Sequence, residues 1–317
     1  MTLRLPEHWI WDFWFAHDGD QVHVFYLQAP RSLGDPDLRH HHATIGHAVS
    51  RDLRAWQVLS DALGPGAPGE FDDLATWTGS VLRHGGRWQL AYTGVSQAES
   101  GMVQRIGLAS SDDLLSWRKH GMVSEADSRW YETAGPREVH WRDPWLVWDE
   151  PSERFHMLIT ARTKHGAMDA RGVIGHAWSQ DLHAWEAEPP LSQPGEFSQL
   201  EVPQLVHFGG AWRVLFCATQ TDHSAARLGR TGVVRECDTH YLTAREKFGD
   251  YRVSDGAFLV GDAVGQHYAG RLLRHRGAWK FFAWRLHDEH GRFVGELSDP
   301  MPVSADDDGR PRVEVPM

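Results

Sequence analysis

Short runs in which apolar and polar residues alternate recur along the whole chain, and no segment keeps a 3.6-residue apolar period between helix caps. That pattern predicts strands rather than helices. One unit reads Ile45-Gly46-His47-Ala48-Val49-Ser50-Arg51-Asp52-Leu53, with Trp56 three residues on. It returns as Ile106-Gly107-Leu108-Ala109 with Ser111, Asp113, Leu114 and Trp117, and again as Ile174-Gly175-His176-Ala177-Trp178-Ser179 with Asp181, Leu182 and Trp185. The starts lie 61 and 68 residues apart. Each copy predicts a strand, a Ser-x-Asp-Leu turn, and a further strand opened by the tryptophan.

A second repeat is more complete. Five times a polar or glycine-containing turn leads into an aromatic or β-branched strand: Gly19 to Gln28, Gly85 to Thr93, Ser152 to Thr160, Gly209 to Ala218 and Gly277 to Trp284. Val22, Trp88, Phe155, Trp212 and Trp279 are the equivalent positions, separated by 66, 67, 57 and 67 residues. Five copies of several short strands predict an all-β fold, a five-bladed β-propeller, with residues 1–317 as one domain. A hairpin-rich β-sandwich is the alternative, and five matched copies argue against it. A strand is expected just before each aromatic strand: Trp9 to Phe15, Trp77 to His84, Trp141 to Trp148, Leu200 to Phe208 and His267 to His275. In a propeller such strands line the axis.

Composition narrows the function. The chain is 41% hydrophobic and 24% charged, ordinary values for a folded domain, and its net charge of -11 with no basic run argues against a nucleic-acid partner. No apolar stretch approaches membrane-spanning length and no signal peptide is apparent, so a cytoplasmic protein without a membrane partner is expected. The two cysteines, Cys217 and Cys237, make no metal or redox motif and are expected to be free core thiols. Tryptophan is abundant, at 16 residues. Its flat apolar face and single N–H donor suit both a β-rich core and a sugar-holding cleft.

Acids are scarce on the predicted axial strands. Asp12 lies ten residues before Val22, Asp143 twelve before Phe155 and Glu201 eleven before Trp212, so the three are expected at nearly the same place in three blades and should converge at one mouth of the channel. Each sits among apolar neighbours, where a carboxylate is costly unless paired, and such costs collect where chemistry needs them. Glycoside cleavage needs two carboxyl groups flanking the scissile bond, one of them protonated. Glu201, framed by Leu200 and Val202, suits the protonated role; Asp12 suits the ionised nucleophile; Asp143 suits holding hydroxyls and an oxocarbenium-like charge. The structural alternatives are a turn cap for Asp12, an ion pair with Arg142 for Asp143 and a satisfied core acid for Glu201.

These residues carry a resemblance. Trp11-Asp12-Phe13-Trp14 looks like the Trp-Asp-x-Trp nucleophile motif of glycoside hydrolase family 68. Trp77-Thr78-Gly79-Ser80 is similar to the Trp-Ser-Gly-Ser motif that families 32 and 68 share, and Ala91-Tyr92-Thr93-Gly94 to a family 32 strand. Arg142-Asp143-Pro144 matches the shared Arg-Asp-Pro motif, Glu201-Val202-Pro203 resembles a Glu-Cys-Pro segment, and His267-Tyr268-Ala269 resembles Phe-Tyr-Ala. The ordered set runs through all five blades and resembles the fructofuranosidases, invertases and levansucrases. The resemblance implies a retaining hydrolase of β-fructofuranosides such as sucrose or short fructooligosaccharides, with Asp12 as nucleophile, Glu201 as acid/base and Asp143 as transition-state stabiliser. It further implies substrate contacts from Trp11, Trp14, Gln28, Trp77, Ser80, Arg142 and Tyr268, and no metal or cofactor. The chain departs from family 32 in having Phe13 after Asp12, Thr78 for Ser and Val202 for Cys, and the C-terminal β-sandwich of that family is not expected. A fructosyltransferase on the same site, an inverting furanosidase of family 43 type and a sugar-binding lectin propeller are the competing readings.

Three further segments have blander expectations. The run Arg39 to His42 reads as a solvated loop, and Asp306 to Asp308 as a solvated turn. The long stretch Arg129 to Arg137, with Trp130, Tyr131 and Glu132, is placed before the third blade, where it would rim the cleft.

Overall fold

The computed structural model describes residues 3–134 and 138–315 as five antiparallel sheets around one axis. Blade one comprises β1 (His8–Asp18), β2 (Gln21–Pro30), β3 (Thr44–Ser50) and β4 (Gln57–Val58), in that order from the axis outward. Blade two repeats the order with β5 (Ala75–His84), β6 (Arg87–Val95), β7 (Arg105–Ser111) and β8 (Arg118–Ser124). Blade three has β9 (Trp141–Asp149), β10 (Arg154–Arg162), β11 (Gly172–Ser179) and β12 (Glu186–Glu188). Blade four has β13 (Glu201–Phe208), β14 (Ala211–Ala218), β15 (Cys237–Ala244) and β16 (Arg252–Val253), with β17 (Val260–Asp262) also pairing β15. Blade five has β18 (His267–His275), β19 (Ala278–His287), β21 (Met301–Ala305) and β22 (Pro311–Val313), with β20 (Phe293–Leu297) on β19. The five-bladed propeller is therefore the fold, and the predicted axial strands are β1, β5, β9, β13 and β18.

The Ser-x-Asp-Leu segments are the turns into the outer strands of blades one to three. In each, the leucine (Leu53, Leu114, Leu182) takes a left-handed φ of 64°, 64° and 69°. The conformation is disfavoured for a residue with a Cβ and is held by side-chain bonds. Asp52 Oδ1 accepts the amides of Arg54 and Ala55, and Asp113 and Asp181 accept their counterparts at 2.8–2.9 Å. The leucine side chains are buried, so the turns anchor each blade's outer edge to its core.

The axial strands share a second device. Each carries a β-bulge near its start: the register jumps after Trp11, Trp77, Arg142, Glu201 and Tyr268. The residue that follows is Asp12, Thr78, Asp143, Val202 or Ala269, and all but Thr78 have positive φ (23°, 55°, 54° and 51°). A bulge bends the strand and re-aims one side chain. Threonines from neighbouring strands brace it: Thr93 Oγ1 accepts the Asp143 amide at 2.9 Å, and Thr239 Oγ1 accepts the Gly270 amide at 2.9 Å. Glu201 is therefore one residue out of step with Asp12 and Asp143. It occupies the last paired position, shared with Trp11, Trp77, Arg142 and Tyr268, which corrects the expectation that the three acids are positional equivalents.

The ring closes between blades five and one. Arg271, buried at the axis, donates to the carbonyls of Phe13, Val202 and Pro203 at 3.1, 2.9 and 2.7 Å. One side chain thus joins blades one, four and five. Cys217 and Cys237 are free and buried. Asp306 accepts the amides of Asp308 and Arg310 and forms the turn between β21 and β22. Among the described residues no helix is long and apolar enough to cross a membrane.

Two expectations about loops change. Pro36–His42 is a 3-10 helix in which His40, His41 and His42 are exposed as expected, but Arg39 is buried, its guanidinium over the rings of Trp11 and Phe293. In the Arg129–Arg137 stretch, Gly135, Pro136 and Arg137 lie outside the described residues. The part before them is mostly scaffold: Tyr131 is fully buried against Trp141 and donates to the Glu188 carbonyl, while Glu132 pairs with Arg162 and Arg171.

Candidate active site

The bulges gather Asp12, Asp143 and Glu201 on one cavity of about 320 Å³ at the mouth of the axial channel. Trp11, His40, Trp77, Thr78, Gln104 and Arg142 complete much of its wall. The size is at the small end of the range for ligand pockets and suits one sugar ring.

Asp12 has no ion-pair partner within salt-bridge distance among the described residues. Thr78 Oγ1 donates to its Oδ2 at 2.7 Å, and Trp284 Nε1 to its Oδ1 at 3.1 Å. Burial is the largest influence on this carboxyl and the Asp143 charge adds to it; together they outweigh the Thr78 bond and the more distant Arg271 and Arg39, and push it up to about 6. Two neutral donors fix its position without neutralising it.

Asp143 is almost fully buried. Its Oδ2 accepts from Thr160 Oγ1 at 2.9 Å and the Val202 amide at 3.1 Å, and lies 3.4 Å from Arg142 Nε. That leaves Oδ1 as the oxygen available to a ligand.

Glu201 accepts from Arg142 Nη2 at 2.7 Å on Oε1 and from Tyr268 OH at 2.5 Å on Oε2. Both bonds favour the anion. Burial opposes them, helped by the charges of Asp222 and Asp143, and it dominates: the carboxyl is pushed up to about 7. Arg142 is itself held at every side. It donates to Gln104 at 3.1 Å and Gln199 at 2.7 Å, and its Nη1 lies 2.8 Å from His140 Nδ1. The guanidinium thereby spans Asp143 and Glu201 and sets their relative position.

Of the remaining residues expected at a substrate, Trp11, Trp77 and Arg142 line the cavity, and Tyr268 reaches it through Glu201. Trp77 is oriented by its indole N–H, which donates to the His40 carbonyl at 2.6 Å. Trp14, Gln28 and Ser80 do not line it. Simple alternation puts Trp14 on the face of Asp12, but the bulge at Asp12 interrupts that alternation, and Trp14 is buried, stacked on Phe25. Gln28 is buried and donates to Asp61 at 2.8 Å and Thr44 at 3.3 Å. Ser80 ties blade two to blade three, donating to the Pro144 carbonyl at 2.7 Å and accepting the Leu146 amide at 2.8 Å. Conversely, sequence reasoning missed Trp284, Thr78, Gln104, Gln199 and His40 as contributors. Thr78 was the legible one, since it lies ten residues before Trp88 as Asp12 lies ten before Val22. Among the described residues no group of three or more His, Cys, Asp or Glu side chains is arranged to hold a metal ion.

The arrangement presents two carboxyls of unlike environment on one cavity, with the carboxyl of Asp143 on the same wall. Comparison with known proteins bears on family and fold. Residues 13–277 match the glycosyl hydrolases family 32 N-terminal domain. A sucrose-6-phosphate hydrolase of Zymomonas mobilis is 31% identical over 144 residues, covering 44% of this chain and 26% of its own length. A raffinose invertase of Escherichia coli is 26% identical over 275 residues, covering 83% and 52%. The chain thus spans between about a quarter and a half of the length of these curated relatives. Among solved structures, inulosucrase from Halalkalicoccus jeotgali bound to kestose superposes with a TM-score of 0.79 at 24% identity, covering 99% of this chain and 89% of that one. A Bombyx mori family 32 β-fructofuranosidase superposes with 0.71 at 19% identity, covering 99% and 64%. At these identities the structural likeness speaks for the fold.

Proposed function

The chain belongs to glycosyl hydrolase family 32, and from that premise we propose that it cleaves β-fructofuranosides with retention of configuration. The observation that carries the reading is a pair of carboxyls held differently on one cavity, Asp12 by the neutral donors Thr78 and Trp284 and Glu201 by Arg142 and Tyr268. Burial raises Glu201 well above the ordinary carboxylate range, so it can hold the proton that the acid of a double displacement must supply.

A carboxylate oxygen of Asp12 attacks the anomeric carbon of the fructosyl group. Glu201 gives its proton to the departing oxygen as that bond breaks. Glu201, now an anion held by Arg142 and Tyr268, takes a proton from water, which attacks the same carbon and frees Asp12. Asp143 accepts ring hydroxyls through Oδ1 and stabilises the positive charge that develops at the anomeric carbon. Trp11 and Trp77 offer flat walls to the C–H faces of the sugar. The groups named here come from blades one to five of a single propeller, which we take as the catalytic domain.

The test is a product screen with sucrose, short fructans, an aryl fructofuranoside and an aryl arabinofuranoside. Fructose release from the fructosides is expected, with the retained anomer appearing first by NMR. Turnover of the arabinofuranoside alone, or first release of the inverted anomer, overturns the reading.

A further inference from the structure

Adjoining the first cavity is a second of about 630 Å³, and Glu138 and Gln199 line both. Arg142 Nη2 donates to Gln199 and Glu201 alike, and the charge of Asp222, in the wall of the second cavity, acts on Glu201. This inference rests on the reading that Glu201 protonates the departing oxygen. The group leaving with that oxygen must then occupy space beside Glu201, and the second cavity supplies it.

Its wall is electrostatically one-sided among the described residues. Glu138, Asp169 and Asp222 bring three carboxylates. Asp222 is buried and fixed: its Oδ1 accepts from Ser198 Oγ, and its Oδ2 accepts from the amide and hydroxyl of Thr219, each at 2.7 Å. The cationic side chain is Arg162, which pairs with Glu132 and donates to the Met168 carbonyl at 2.7 Å. Arg142, at the boundary, is engaged by Asp143 and Glu201. His140 offers no charge either. Its Nδ1 lies 2.8 Å from an Arg142 donor and must accept there, which the neutral ring alone can do; burial and the two arginines hold it at about 2. The chain's net charge of -11 adds to the repulsion of anions at longer range.

We infer that the second cavity selects an uncharged sugar as the leaving group and rejects one bearing a phosphate monoester. A phosphate carries a charge of about -1.5 to -2 near neutral pH, and here it would face carboxylates with the nearby guanidinium groups already engaged. The hydroxyls of a neutral sugar, by contrast, find acceptors in those carboxylates and a donor in the Gln199 amide.

The test compares kcat/KM for sucrose and for sucrose 6-phosphate, whose phosphate sits on the glucosyl group that departs. The expected preference for sucrose is about tenfold or more at low salt, shrinking as salt screens the wall. It should shrink several-fold in Glu138→Gln and again in Glu138→Gln/Asp169→Asn, with melting temperatures reporting that the variants fold. Equal or better turnover of the phosphorylated substrate overturns the inference. So does a preference that neither salt nor the variants change, which would assign discrimination to shape. Release of fructose from neither substrate, nor from any other fructoside, is failure of the proposed function itself and takes this inference with it.

Discussion

Asp52 and Asp12 belong to the same blade, and the protein treats them in opposite ways. Asp52 sits in an outer turn, exposed, with two amides and the Ser50 hydroxyl donating to it; these bonds hold its carboxyl down to about 2. Asp12 sits at the axis, where burial and a neighbouring anion raise it to about 6. Asp113 and Asp181 are lowered like Asp52, and Glu201 is raised like Asp12. The contrast separates two uses of an acidic residue. At the rim, a carboxylate is surrounded by donors that stabilise its charge and thereby stabilise the turn. At the axis, it is buried beside other carboxylates, and its charge is held at a cost that fits the proposed catalytic role. Both kinds recur from blade to blade, so recurrence by itself does not distinguish scaffold from chemistry. At these positions the surroundings do: donors around an exposed rim carboxylate, burial on the cavity wall for Asp12 and Glu201.

The strongest way to break this comparison is to remove each charge in turn. Asp12→Asn is expected to lower kcat on sucrose by roughly 10³-fold or more while sucrose still binds by calorimetry; Asp52→Ala should leave kcat within about twofold. Comparable losses in both would erase the distinction.

The pH profile sharpens it. For the free enzyme kcat/KM should rise as Asp12 ionises at about 6 and fall as Glu201 loses its proton at about 7. The Tyr268 hydroxyl favours the Glu201 anion, so Tyr268→Phe should move the falling limb to higher pH and leave the rising limb in place. Movement of the rising limb alone would contradict these roles.

Smaller effects appear in stability, with opposite signs. Asp12 has a raised folded-state pKa, so its contribution is intact below the unfolded value of 3.8 and is lost as pH rises through about 6. Asp12→Asn should therefore raise the melting temperature at pH 8 by a few degrees, on the order of 1–3 kcal/mol, and by less at pH 5. The smallest effect is the mirror image. Asp52 has a depressed folded-state pKa, so its contribution is present above 3.8 and is lost as pH falls through about 2. Asp52→Ala should lower the melting temperature slightly at pH 7, and the difference from the parent should fade on acidification. Thermal melts of both variants across pH 2–8 check the two signs together.

Much of this was legible in the chain because repetition supplies a ruler. The spacing of Val22, Trp88, Phe155, Trp212 and Trp279 located all five axial strands, and Ser-x-Asp-Leu located three outer turns. The acids stood out because apolar strands carry few of them. What the ruler lacks is a mark for the bulge. The counts of ten, twelve and eleven residues blend hairpin length with bulge position, so Glu201 was placed level with Asp12 and Asp143 when it stands one residue earlier. Trp14 was expected at the substrate from the motif it shares with Asp12, but after the bulge it packs on Phe25 instead. Trp284, Gln104 and Gln199 were missed for a different reason. They matter through contacts with Asp12 and Arg142 formed by ring closure and blade packing, and local pattern carries no trace of such partners.

The bond between Asp12 and Trp284 joins residues 272 positions apart, and this has a consequence in time. Blades two to four lie between the two residues in the chain, so Asp12, the proposed nucleophile, gains its full set of donors only once the ring closes. A nascent chain that has not yet released Trp284 from the ribosome already carries all three carboxylates, with Asp12 still lacking one of its two fixed donors. During refolding, the return of sucrose cleavage should accordingly lag the burial of blade-core tryptophans, and simultaneous recovery would show that the ring closes before its blades are packed.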